Sequence, residues 1–82
     1  MSLTQKIELI RQELEKNFNG NVTATPAYNY PKCIIVTLEL RYTAYKFSYP
    51  VNEEAIEMSD PHDIATELDK TFMSLILNYI RR

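Results

Sequence analysis

The spacing of apolar residues changes twice along the 82-residue chain, from helical to alternating after Gly20 and back to helical after Asp60. That double change restricts the fold more than any single motif. At the N-terminal end Leu3, Ile7, Ile10, Leu14 and Phe18 recur in steps of four, three, four and four, which places all five on one helical stripe. Ser2 with Gln5 three residues later has the form of a capping box. Asn19-Gly20 offers residue types tolerant of the left-handed conformation that closes many helices, and Gly20 is the only glycine in the chain.

Between Asn21 and Val51 the apolar residues alternate and β-branched and aromatic types dominate, which reads as sheet. Ile34, Val36, Leu38 and Leu40 share one face of a central strand, against Cys33, Ile35, Thr37, Glu39 and Arg41 on the other. Tyr45, Phe47, Tyr49 and Val51 form the matching apolar side of the next strand, so both sets are expected to face the helices. The turn between them is expected near Arg41 to Thr43, although no Asn-Gly or Asp-Gly marks it. A first strand near Val22 to Tyr30 contains Pro26, which removes a ladder donor and confines that strand to an edge or a bulge.

Ser59-Asp60-Pro61 opens a second helix, because Asp60 can accept from orphan amides and Pro61 loses nothing by lacking an N–H at the first helical position. Ile64, Leu68, Phe72, Leu75 and Tyr79 form its main stripe to about Ile80, and Arg81 and Arg82 meet the negative end of its dipole. In its C-terminal half Met73, Ile76, Leu77 and Ile80 widen the apolar arc to roughly 200°, about twice what one core covers. The expected architecture is an α+β two-layer sandwich in the order α-β-β-β-α. Its three-stranded antiparallel sheet carries both helices on one face, and residues 1–82 form a single domain. Double-stranded RNA-binding domains share this order of elements, but they place a lysine cluster at the start of the second helix. Here that position reads Asp60-Pro61-His62-Asp63, the wrong sign for phosphates.

A 45% apolar, 24% charged composition is that of a chain that folds. One cysteine, Cys33, permits no internal disulfide, and no Cys/His spacing fits zinc, so a reducing, cytoplasmic setting is expected. Lys6 and Glu8 interrupt any signal-peptide core, and the apolar stretch from Phe72 to Ile80 is far short of the roughly 20 residues that cross a bilayer. A single glycine cannot build a P-loop, a dinucleotide fingerprint or a Gly-rich oxyanion loop, and no enzyme activity or cofactor is expected.

Seven of the eleven acids, Glu53, Glu54, Glu57, Asp60, Asp63, Glu67 and Asp69, arrive before the next basic residue, Lys70. A solvated loop and a dipole-matched helix start explain most of them. Glu53, Glu54, Glu57, Asp60 and Asp63 are the candidates for binding a basic protein partner. Such an acidic inhibitor or adaptor would occupy a basic groove on another macromolecule, grooves that normally hold nucleic acid among them, as small acidic proteins of mobile genetic elements often do. A cation site at Asp60, His62 and Asp63 lacks a recognised spacing. His62 and Cys33 read as an exposed histidine and a half-buried small apolar residue, rather than as a base and a nucleophile. Nucleic-acid binding through Arg41, Lys46 and the tyrosines is thin for a chain of net charge −2. The leading expectation is a non-enzymatic interaction module that forms a homodimer through Met73, Leu77 and Ile80.

Overall fold

A computed structural model, describing residues 1–27 and 32–81, shows how the local signals combine. Ser2 Oγ accepts from the Gln5 amide and Gln5 Oε1 accepts from the Ser2 amide, so the capping box starts α1, Leu3–Asn17. Ile10, Leu14 and Phe18 of its stripe are buried, with Leu3 and Ile7 packed at the margin. Half-buried Arg11 pairs with both Glu8 and Glu15 along the helix. Its hydrogen bond to Glu8 holds that carboxyl below the usual range. Glu15 also accepts from the Val22 amide at 3.0 Å, fastening the helix to the strand that follows.

The ending of α1 differs from the left-handed closure expected at Asn19-Gly20. Phe18 is extended, Gly20 has no positive φ, and Gly20 opens β1, Gly20–Pro26. Its lack of a side chain serves close approach instead, because a Cβ there would collide with the Glu39 carbonyl on the neighbouring strand. β1 pairs antiparallel with β2, Cys33–Leu40, which pairs antiparallel with β3, Lys46–Asn52. The order β1-β2-β3 leaves β1 and β3 as edges, each carrying a proline, Pro26 and Pro50. The expected first strand thus stops at Pro26, and its continuation through Tyr28 to Tyr30 lies outside the described residues.

Residues 41–45 link β2 to β3, a longer connection than Arg41 to Thr43. Tyr42 takes φ 64°, and Thr43 Oγ1 both donates to the Leu40 carbonyl and accepts from the Tyr45 amide. A threonine side chain thereby fastens a turn that lacks the usual glycine.

The expected α-β-β-β-α order gains one element. Asn52 Oδ1 accepts from the Glu54 amide at 2.8 Å and caps α2, Glu53–Met58, before Asp60 and Pro61 open α3, Pro61–Ile80. Part of the expected acidic loop is therefore helical, and its Ile56 is 1% exposed at the centre of the core. The remaining core joins Ile10, Leu14 and Phe18 to Val22, Ile34, Val36 and Leu38 of the sheet and to Ala65, Leu68 and Phe72 of α3. The helices cover one sheet face. The other carries Cys33, Ile35 and Pro50 beside polar residues, with Thr37 and Ser48 hydroxyls 2.9 Å apart and Lys46 3.6 Å from Glu39. Among the described residues no helix is long and apolar enough to cross a membrane.

Candidate interaction surface

The surface arises from a stagger between the helices. Glu13 Oε1 lies 2.7 Å from His62 Nδ1 at the start of α3, and Asn17 Nδ2 donates to Asp69 Oδ2 at 2.6 Å. The Phe18 and Phe72 rings meet edge to face, 6.4 Å between centroids. Partners advance in the same sense along both helices, so α1 and α3 run parallel, and the start of α3 meets the last third of α1. The first turns of α1 project beyond α3, where α2 meets them. There Lys6 Nζ donates to the carbonyls of Ile56, Glu57 and Ser59 at 3.3, 2.6 and 3.3 Å, putting a cation on the negative end of α2. At the opposite end α1 stops at Asn17 while α3 continues to Ile80.

His62, Thr66, Asp69, Met73, Leu77 and Ile80 follow one another in steps of four, three, four, four and three, one continuous stripe along α3. α1 takes its first half through Glu13 and Asn17. The second half has outrun α1, and Met73, Leu77 and Ile80 remain 48%, 45% and 69% exposed. The boundary falls at Asp69, whose Oδ1 is buried without a hydrogen-bond partner among the described residues. Burial pushes this carboxyl up and the Glu13 charge adds to the rise, against the opposing Asn17 hydrogen bond and His62.

On the other flank of α3, Tyr79 meets Tyr45 and Phe47 with ring centroids 4.6 and 6.0 Å apart. Phe47 and Val51 pack on the core, as alternation predicts, but Tyr45 and Tyr49 each stay 42% exposed. The expected core packing of these two tyrosines is only half realised. Tyr79, expected on the buried stripe, is likewise 46% exposed.

The five acidic candidates do not converge on one feature. Glu53 and Glu54 occupy the first turn of α2, Asp60 accepts from the His62 amide as the cap of α3, and Asp63 lies in the first turn of α3. The Glu57 side chain is exposed while its carbonyl receives Lys6. Helix starts favour carboxylates at each of the first four positions. His62, expected beside Asp60 and Asp63, pairs across to Glu13 of α1. Lys46 lies on the outer sheet face against Glu39, Tyr45 and Tyr49 lie on the inner side, and Arg41 and Tyr42 stand in the turn, so among the described residues the nucleic-acid combination is split; Tyr28 and Tyr30 lie outside them. No group of three or more metal-ligating side chains that could hold an ion occurs among the described residues.

Two spaces adjoin these elements. A void of about 10 Å³ among Ile7, Ile10, Val36, Ile56 and Leu68 has room for no ligand. An open groove of about 560 Å³ runs between Leu9, Glu13 and Lys16 of α1 and Asp60 and His62 of α3.

Sequence reasoning misses α2, Lys6 and the Tyr45–Tyr79 contact. Only the first had a readable signal, the cap residue Asn52 followed by Glu53 and Glu54. No family model matches the chain, and neither a curated protein nor a solved structure matches it.

Proposed function

We propose that this chain is a non-enzymatic, cytoplasmic interaction module that associates with a second copy of itself through Met73, Leu77 and Ile80. The observation that carries the reading is the continuous stripe on α3, which α1 contacts at His62 and Asp69 and which presents Met73, Leu77 and Ile80, all exposed, beyond the end of α1. Three large apolar side chains in register on one rigid helix suit helix-to-helix packing better than scattered surface leucines do. The sheet edges suit assembly less, since each carries a proline that interrupts strand pairing. The patch is small beside the roughly 800 Å² per partner of a standard interface, so association in the micromolar range is expected.

Sedimentation at tens of micromolar tests it. The wild type should sediment as a concentration-dependent dimer and Leu77→Glu as a monomer with unchanged helical content. A monomeric wild type at that concentration removes the reading.

The exposed carboxylates of Glu54, Glu57 and Asp63 support a second reading, an acidic adaptor for a basic groove on another macromolecule. Binding of that kind weakens steeply with salt and with charge reversal at Glu54 and Glu57, whereas apolar self-association does not.

A further inference from the structure

We infer that Glu15 closes the outer edge of β1, its carboxylate standing at the Val22 amide where the carbonyl of an added strand would lie. The closure is independent of any self-association through α3. In an antiparallel pair successive residues turn their amides alternately toward and away from the partner strand. The Ala27 amide donates to the Cys33 carbonyl and the Arg41 amide to the Asn19 carbonyl, which makes Asn21, Thr23 and Thr25 the residues of β1 bonded to β2. Gly20, Val22, Ala24 and Pro26 therefore face outward, along the row that a foreign strand would pair with.

Three of these four positions are closed from within the chain. The Gly20 amide donates to the Phe18 carbonyl at 2.9 Å, the Val22 amide donates to Glu15 Oε2 at 3.0 Å, and Pro26 has no N–H. Glu15 is itself held, since its Oε1 lies 2.7 Å from Arg11 Nη1 and Arg11 lies beside Val22 and Ala24 at the small void. A strand entering at Val22 must displace the carboxylate and break that pair. Of the outward amides of β1, only that of Ala24 has no acceptor among the described residues. β3 has no such closure. The Leu40 amide donates to the Tyr45 carbonyl, which by the same alternation turns Lys46, Ser48 and Pro50 outward, and among the described residues no side chain accepts from the Lys46 or Ser48 amide. Val22, Thr23 and Thr25 are β-branched, so β1 without its carboxylate is suited to pair with β1 of a second copy.

Amide hydrogen exchange, corrected for local sequence, tests the closure. In the wild type Val22 should exchange at least about tenfold more slowly than Ala24. Glu15→Met keeps the side-chain stem and removes the acceptor, and in dilute solution its Val22 should exchange as fast as Ala24. Near millimolar concentration both amides of this variant should gain about tenfold protection as β1 strands pair, while Glu15→Gln, which keeps an acceptor, should match the wild type throughout. Protection at Ala24 separates strand pairing from contact through α3, which offers that amide no acceptor. Val22 exchanging as fast as Ala24 in the wild type overturns the inference without any variant having to fold. So does a Glu15→Met chain with wild-type circular dichroism whose Ala24 stays open at the higher concentration, because the carboxylate then only fastens α1 to β1. Protection gained at Lys46 and Ser48 alone would place the pairing on β3 and overturn it as well.

Discussion

The two ends of the helical layer face the same problem and meet it differently. At one end the first turns of α1 project past α3, and α2 closes over them with Ile56 buried in the core and Lys6 bound to three carbonyls at the end of α2. At the other end the last turns of α3 project past α1, and no described element closes over Met73, Leu77 and Ile80. Six residues of helix are enough to cover the first overhang. The bare apolar face of α3 therefore comes from the stagger of α1 and α3, which leaves Met73, Leu77 and Ile80 beyond Asn17. Composition follows this division. The half that α1 contacts carries His62, itself 71% exposed, with Thr66 and Asp69, and the half beyond it is wholly apolar.

The sharpest contrast substitutes the same residue type at both ends. Ile56→Ala should destabilise the fold by about 3 kcal/mol, since it empties a fully buried site. Ile80→Ala should change the dilute monomer by no more than about 0.5 kcal/mol, as for other exposed positions. Urea denaturation at low protein concentration reads both, and equal losses would break the comparison. Next comes the α2 clasp. Lys6→Met keeps the aliphatic stem and removes the donor to Ile56, Glu57 and Ser59, which should cost about 1 kcal/mol for a half-exposed charged hydrogen bond. No loss in the same experiment would mean that packing alone holds α2 in place.

The smallest effect has the opposite sign and lies at the boundary. Asp69 binds its proton more tightly in the folded chain than in the unfolded one. Its favourable contribution is therefore fully present below the ordinary aspartate value of 3.8 and is lost as pH rises through the raised folded value. Ionised Asp69 is thus a liability at neutral pH. Asp69→Asn keeps an acceptor for Asn17 and should raise stability at pH 7 within about 0.5 kcal/mol, with the gain disappearing in acid. A thermal melt series from pH 3 to 7 that shows a loss at neutral pH would assign the carboxylate a favourable role at the seam.

Most of the fold was legible because its signals are local. The capping box at Ser2, the Asp60-Pro61 start and the alternation of Ile34, Val36 and Leu38 each act over a few residues, and each is realised. α2 was hidden because six residues are too few to display a helical period, even though Asn52, Glu53 and Glu54 announced its start. Gly20 was misread because its reason lies across the sheet, at Glu39. Excess apolar surface on α3 was legible from its arc. The parts that decide where it lies were not, because the stagger is set by pairs such as Asn17 with Asp69 and Lys6 with Glu57, which are 52 and 51 residues apart in sequence.

The central claim is that the uncovered half of the α3 stripe is where this chain meets its own copy. Amide spectra recorded as protein concentration rises from low micromolar to millimolar test it residue by residue. Signals of residues 73–80 should move together along one binding curve while those of 53–63 stay fixed. Spectra that do not change with concentration, or changes confined to 53–63, would contradict it.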